Sequence, residues 1–202
     1  MGIENTRSRV HGKSDPDKAV IRDFLDGKRR SFDTLVVKYQ DRVFNICYRM
    51  LGDYDEADDC SQDIFVRVYR SLAKFRFESK FSTWLYRITV NSCKNRLASA
   101  SRRYHRSLVH LNGDPDGETS GIDVRDNKTS PSNVFEKNEK NRLIQSAIQS
   151  LPEAQRMVVV LRDIEGLPYD EISKLCGLNT GTVKSKLARA RRRLRERLKG
   201  ML

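Results

Sequence analysis

A dense run of basic side chains near the end of the chain is the feature with the clearest chemical use. Between positions 184 and 199 the sequence carries nine Lys and Arg residues and one acidic residue, Glu196, a net charge of +8 in sixteen residues. The whole 202-residue chain has a formal net charge of +12, so most of its excess charge lies in this segment. A charge run is commonly a solvated helix face, but it also suits a polyanionic partner, either nucleic acid or an anionic membrane surface.

The residues just before and within this run are typical of a helix-turn-helix. Residues 166–198 read GLPYDEISKLCGLNTGTVKSKLARARRRLRERL. Pro168 is expected at the first position of one short helix, Gly177 ends it, and Asn179 is a good N-cap for the next. In this unit the second helix lies in the DNA major groove, and its N-terminal residues reach base edges.

The exposed positions of that second helix supply hydrogen-bond donors of suitable reach. They are Thr180, Thr182, Lys184, Ser185, Lys186 and Arg189, with Arg192 following in the basic run. Lys and Arg pair with guanine, and hydroxyl groups pair with either base, so the pattern predicts direct reading of duplex DNA. Next to such a unit, the basic run is expected to neutralise phosphates.

Apolar periodicity predicts helices for almost every other structured segment, and no strand alternation is present in the sequence. Helices are expected at about 18–25, 31–51, 55–74, 82–103, 143–151 and 152–165. Ser31 is a candidate N-cap and Gly52 a helix end, while Pro152 can open a helix that Gly166 closes. The predicted fold class is all-α.

The composition changes twice along the chain, and this change predicts the domain organisation. Residues 104–137 hold glycines and prolines among Asp, Ser, Thr and Asn, with little apolar surface to bury. A segment of this length is too long for a loop inside a compact domain. We therefore expect two small helical domains, 17–103 and 138–202, joined by a flexible linker over 104–137.

Several classes of protein are disfavoured by what the sequence lacks. No apolar stretch approaches the length of a membrane span, and the first residues have no apolar core of a secretory signal. The three histidines, His11, His105 and His110, lie in the expected tail or linker, and no phosphate loop, nucleophile elbow or metal-ligand cluster is visible. We expect no enzymatic activity, no catalytic residue, no metal, no cofactor and no membrane insertion.

The four cysteines have no metal-binding or disulfide spacing. Cys47, Cys60, Cys93 and Cys176 are far apart in sequence and form no CxxC pair. We expect buried, reduced thiols in a cytoplasmic protein in preference to disulfides or a zinc site.

Three motifs taken together resemble a known family. They are FDTLVVKYQDRVFNICYRMLGDYDEADDCSQDIFVRVYRSLAKF, then FSTWLYRITVNSCKNRL, and later LPEAQRMVVVLRDIEGLPYDEISKLCGLNTGTVKSKLARARRRLRERL. Their order and spacing resemble bacterial RNA polymerase sigma factors of the extracytoplasmic-function (ECF) group, which contain only sigma regions 2 and 4. Such a factor directs promoter-specific transcription initiation by recognising −10 and −35 elements.

The resemblance implies roles for the residues of region 2. An acidic helix carrying Asp59, Gln62, Asp63 and Arg67 is expected to bind the clamp helices of the largest polymerase subunit. The following loop and helix are expected to open the duplex and read the −10 element, a task that suits flat side chains, amides and cations. The candidates are Phe77, Phe81, Trp84, Arg87, Asn91, Asn95, Arg96 and Arg103. For Phe81 and Trp84, a place in the core is the alternative.

The resemblance implies further partners for region 4. The predicted recognition helix would hold the −35 element, and Glu171 on the preceding helix would contact backbone or bases. The flap of the second-largest polymerase subunit and an anti-sigma factor are the implied protein partners. A free-standing transcriptional regulator, with the first 103 residues as a sensor or dimerisation domain, is the alternative.

Overall fold

The fold is all-α, as the sequence predicts, and no strand occurs in the part of the chain that is described. The structure, a computed structural model, describes residues 17–111 and 133–199, with side chains over 17–103 and 139–199. The helices are α1 Asp17–Leu25, α2 Ser31–Leu51, α3 Tyr54–Ser71, α4 Phe81–Leu111, α5 Asn133–Gln149, α6 Glu153–Val159, α7 Tyr169–Cys176 and α8 Thr180–Lys199, with a 3₁₀ turn at Leu72–Lys74 and a π-helical turn at Val160–Ile164. None of the described helices is long and apolar enough to cross a membrane.

The N-terminal helices pack through the apolar stripe of α2. Leu35, Tyr39, Val43, Ile46 and Met50 are all buried, at the helical spacing that the sequence shows. Burial of such side chains is worth roughly 1.5–3 kcal/mol each, so this stripe fixes α2 against α3 and α4.

The ends of the helices show which of the predicted capping residues act as caps. Gly52 ends α2 with a φ of 90°, and Gly166 and Gly177 also have left-handed backbones, as the sequence predicts. The N-cap prediction for Ser31 is wrong, because its hydroxyl donates to the Lys28 carbonyl and makes no cap bond to the helix.

The two proline predictions are wrong by one position. Pro152 and Pro168 lie at the N-caps, so α6 begins at Glu153 and α7 at Tyr169. Asn179 caps α8 as predicted, since its Oδ1 accepts from the Thr182 amide at 2.7 Å.

Helix covers both ends of the segment expected to be a linker. Helix α4 continues to Leu111 and α5 begins at Asn133. Residues 112–132 lie outside the described residues, as do residues 1–16 and 200–202.

The two parts of the chain pack against each other through the C-terminal end of α2. The last carbonyls of a helix have no partner within it, and here side chains from beyond α4 supply donors. Gln145 Nε2 donates to the Tyr48 carbonyl at 2.8 Å, and Gln149 Nε2 donates to the Arg49 carbonyl at 2.9 Å. Arg156 Nη1 donates to the Met50 carbonyl at 2.6 Å.

Gly52 is required at this junction for two reasons. Its positive φ disfavours residues with a side chain, and a Cβ added there would lie 2.7 Å from Gln149 Cδ. The end of α2 is therefore shaped to receive the C-terminal part of the chain, and the buried side chains of both parts belong to one apolar cluster.

Candidate nucleic-acid and polymerase interfaces

Helix α8 presents most of its predicted DNA-reading residues away from its core contacts. Val183, Leu187 and Ala190 are buried at i, i+4 and i+7, and they hold the helix on α6 and α7. Lys184, Ser185, Arg189 and Arg192 are exposed, while Thr180, Thr182 and Lys186 are half-buried. Ser185, Arg189 and Arg192 therefore face away from the core, whereas Thr180 and Lys186 border the buried stripe.

Two contacts fix the orientation of this helix-turn-helix. Lys184 Nζ lies 5.8 Å from the centre of the Tyr169 ring, a cation–π contact between α8 and α7. Arg191 donates to Asp163 through Nη2 at 2.5 Å and Nε at 3.1 Å, which ties α8 to the π-helical turn. Arg191 therefore forms an ion pair within the C-terminal part of the chain, whereas the Arg189 side chain is exposed to solvent.

The predicted −10 residues divide into an aromatic cluster and a polar stripe. Phe75, Phe77, Phe81 and Trp84 pack ring against ring, with centroids 5.0–6.0 Å apart. Phe81 is only 1% exposed, so its predicted contact with DNA is corrected to a core role that positions the loop. Trp84 and Phe77 are half-buried, and Phe77 has a φ of 57°.

The polar stripe follows one face of α4. Arg87, Asn91 and Asn95 are exposed and recur every four residues, and Arg103 is exposed further along the helix. This spacing places cations and amides in a row. The row has the composition expected for contacts with a single strand and its phosphates.

Arg96 lies beside the stripe but is held by α3. Its guanidinium donates to Asp63 Oδ2 at 2.6 Å and to Glu56 Oε2 at 3.0 Å. A predicted −10 residue and a predicted polymerase-binding residue therefore form an ion pair. Asp59, Gln62 and Arg67 are exposed on the same helix, and Gln62 Nε2 donates to Asp58 at 2.9 Å.

A groove between α2 and α3 adjoins these residues and was missed by sequence reasoning. It has a volume of about 510 Å³ and is lined by the apolar or aromatic side chains of Val36, Phe44, Tyr54 and Phe65 and by the polar side chains of Gln40, Asp41, Asp58, Ser61 and Gln62. Tyr54 is 64% exposed, and Val37 on α2 is 70% exposed. Large apolar side chains off the buried stripe were the available signal, and groups of them on a surface often mark protein contacts.

A predicted −35 residue contacts α4, the helix that carries most of the predicted −10 residues. Thr83 Oγ1, on α4 beside Trp84, lies 3.4 Å from Glu171 Oε2 on α7. Glu171, a predicted −35 contact, therefore faces α4 in this structure.

Glu165, which lies near Arg42 of α2, gives the stability of the fold a dependence on pH. Burial raises the pKa of its carboxyl, and the nearby Arg42 opposes the rise only in part. A carboxyl with a raised pKa stabilises the fold at low pH, and that contribution is lost as the pH rises through the raised pKa. Glu165→Gln is therefore expected to raise the free energy of unfolding at pH 7, measured by urea titration. The gain should vanish below about pH 4, where glutamate is protonated in both states; an equal gain at both pH values would contradict this.

Comparison with known proteins places these sites in a family. Residues 35–103 match the family Sigma-70 region 2, and residues 141–194 match Sigma-70, region 4. RNA polymerase sigma-H factor of Pseudomonas aeruginosa is 35% identical, over 92% of this chain and 95% of that protein. ECF RNA polymerase sigma-E factor of Escherichia coli K12 is 35% identical, over 87% of this chain and 90% of that protein.

Solved structures share the fold. The sigma factor RpoE of Bartonella quintana, crystallised with the anti-sigma factor NepR, aligns with a TM-score of 0.62 at 22% identity, over 84% of this chain and 98% of that one. CnrH, solved with the cytosolic domain of CnrY, also aligns with a TM-score of 0.62 at 22% identity, over 91% and 97% of the two chains. With two sigma regions in order and curated relatives along nearly its whole length, the chain belongs to the ECF group of the sigma-70 family of RNA polymerase sigma factors.

Proposed function

We propose that this sigma factor reads the −35 element with the exposed face of α8 and the −10 element with the polar stripe of α4. The observation that carries the proposal is the pair of cationic helical faces in one chain, each with its apolar side buried. Thr182, Lys184, Ser185 and Arg189 would contact bases, Arg192 phosphates, and Arg87, Asn91 and Asn95 the opened strand. As an initiation subunit, the chain would supply specificity and leave catalysis to the polymerase.

The docking surface for core polymerase is proposed on α3 and the adjoining groove. Asp59 and Gln62 supply exposed polar groups, and Phe65 and Tyr54 supply apolar area beside them. An interface with an apolar centre and a polar rim is the usual arrangement in protein complexes. The clamp helices of the largest subunit are the proposed partner, and the flap of the second-largest subunit is the proposed partner of region 4.

The packed arrangement must open before both promoter elements are read together. Elements at −35 and −10 are separated by about 25 base pairs, or about 85 Å of B-DNA at about 3.4 Å per base pair. In the structure, Thr83 and Glu171, one from each proposed DNA-reading part, lie within 3.4 Å. Separation of the two parts is therefore a required step of holoenzyme function.

The same arrangement suits control by an anti-sigma factor. Two structural neighbours of similar fold are complexes, one with an anti-sigma factor and one with the cytosolic domain of CnrY. A partner that stabilises the packed arrangement would keep the two DNA-reading faces together and inactive. The four free thiols in the described residues suit the reducing conditions of the cytoplasm, where we place the protein.

Run-off transcription with core polymerase on a promoter library tests the function. Asp59→Lys reverses an exposed charge and is expected to lower association with core polymerase about tenfold or more, as like charges at an interface do. Asp63→Lys is a poorer choice, because it would also release Arg96 from its ion pair. The control is Asp55→Lys, at an exposed acid on the first turn of α3, which should bind as well as the wild type.

Wild-type protein that neither binds core polymerase nor supports transcription would contradict the proposal. If it instead bound duplex DNA alone and specifically, the free-standing regulator would be the better explanation.

A further inference from the structure

Three cysteines that are distant in sequence meet in the centre of the N-terminal helices. Cys47 on α2, Cys60 on α3 and Cys93 on α4 are each 0% exposed, and their sulfur atoms all lie within 4.8 Å of one another. The Sγ atoms of Cys93 and Cys47 are 3.8 Å apart. The thiols are free, so the cluster is a set of three convergent soft ligands rather than a disulfide.

The spacing of the sulfur atoms fits a tetrahedral metal ion. With Zn–S bonds of about 2.3 Å, tetrahedral geometry places ligand sulfurs about 3.8 Å apart. One pair already has this separation, and the other pairs, which lie within 4.8 Å, need to contract by at most about 1 Å. Each ligand comes from a different helix, so a bound ion would link α2, α3 and α4.

The surroundings of the cluster provide access and one open position. Cys60 lines a cleft of about 400 Å³ that is also lined by Asp63, Ser92 and Arg96. A fourth ligand, such as water, could reach the ion from this cleft.

We propose that Cys47, Cys60 and Cys93 form a three-thiolate site for a thiophilic d¹⁰ cation, with Zn²⁺ as the favoured occupant. Thiolate ligands select Zn²⁺ and Cu⁺ over harder ions. A divalent ion offsets two of the three thiolate charges, whereas Cu⁺ offsets one, and uncompensated buried charge is costly. This proposal differs from the sequence prediction, which favoured buried, reduced thiols over a zinc site because the four cysteines are far apart in sequence. The site is independent of the proposed promoter reading.

Zinc binding to the reduced, chelator-treated full-length protein tests the proposal. Competition with a chromophoric chelator should show one Zn²⁺ per chain, and Cu⁺ should bind in a parallel titration. Loss of an outer-shell partner costs about 10–100-fold in metal affinity, so Cys93→Ala, which removes a ligand, should cost at least as much. The control is Cys176→Ala, at a thiol outside the cluster, which should leave the affinity unchanged.

Two measurements on the wild type keep the test independent of variant folding. Co²⁺ should give thiolate charge-transfer bands with the visible spectrum of a tetrahedral site. In mild urea, where local opening exposes the three buried thiols, Zn²⁺ should slow their reaction with a thiol reagent but not that of Cys176. Failure of Zn²⁺ to bind or to protect those thiols would overturn the proposal. Formation of a Cys47–Cys93 disulfide with peroxide, without metal binding, would also overturn it and indicate a redox site.

Discussion

Arg189→Ala is expected to lower the affinity of the holoenzyme for −35 promoter DNA about tenfold or more, because a good side-chain contact with a base contributes about 1–3 kcal/mol. Arg189 is exposed on α8 about three turns after Asn179, on the face opposite the buried Val183 and Leu187. Because its side chain is exposed, its removal should not change the stability of the fold, so a change in DNA affinity can be attributed to the lost contact. The measurement is binding of reconstituted holoenzyme to a labelled promoter fragment across a salt series.

The controls for this variant separate base reading from general charge. Arg197 is also exposed on α8 but lies about 12 Å further along the helix, at about 1.5 Å per residue. Arg197→Ala should therefore weaken binding only slightly and equally for all sequences. Arg189→Ala should leave association with core polymerase unchanged. Equal losses in the two variants, or loss of polymerase binding by Arg189→Ala, would contradict the assigned role.

Arg156→Ala is expected to lower the free energy of unfolding by about 2–4 kcal/mol, because hydrogen bonds from a charged donor to buried carbonyls are lost. Its guanidinium donates to the Met50, Gln149 and Leu151 carbonyls at 2.6, 2.7 and 3.3 Å. It also contacts the side chain of Gln149. The positive charge lies at the C-terminal end of α2, where the helix dipole favours cations.

The second expected effect of Arg156→Ala is separation of the two parts of the chain. Arg162 provides a matched control, because it donates to the Leu167 carbonyl at 2.8 Å and stacks on Tyr169, all within the C-terminal part. Arg162→Ala should cost stability without expanding the molecule. Small-angle scattering should show a larger radius of gyration for Arg156→Ala only. The same radius in both variants would contradict a role for Arg156 in holding the parts together.

The local elements of this protein could be predicted from the sequence because their causes are local. The stripe from Leu35 to Met50 has helical spacing, and glycines at 52, 166 and 177 allow the left-handed ends that the structure has. Where prediction was wrong by one position, at Pro152 and Pro168, the residue is compatible with the N-cap as well as with the first helical position. For Ser31, a nearby carbonyl competed for the hydroxyl.

Some residues of the candidate sites could also be placed from the sequence, and others could not. The exposure of Lys184 and Arg189 follows from the period of α8, so sequence alone placed them on a free face. Phe81 could not be assigned in advance, since an aromatic residue at a helix start suits a core or a stacking surface equally. The structure assigns Phe81 to the core, because the rings of Phe75 and Trp84 pack around it.

The helices, most of their ends and the helix-turn-helix could be predicted from the sequence, because each depends on residues within a few turns of one another. The family could be predicted because its three motifs keep their order and spacing along the chain. The tertiary structure alone decided which distant groups meet. It pairs Arg96 with Asp63 across 33 residues, Cys93 with Cys47 across 46, and Arg156 with Met50 across 106. These contacts depend on the angles and rotations at which the helices pack, and side-chain packing over the whole core fixes those angles.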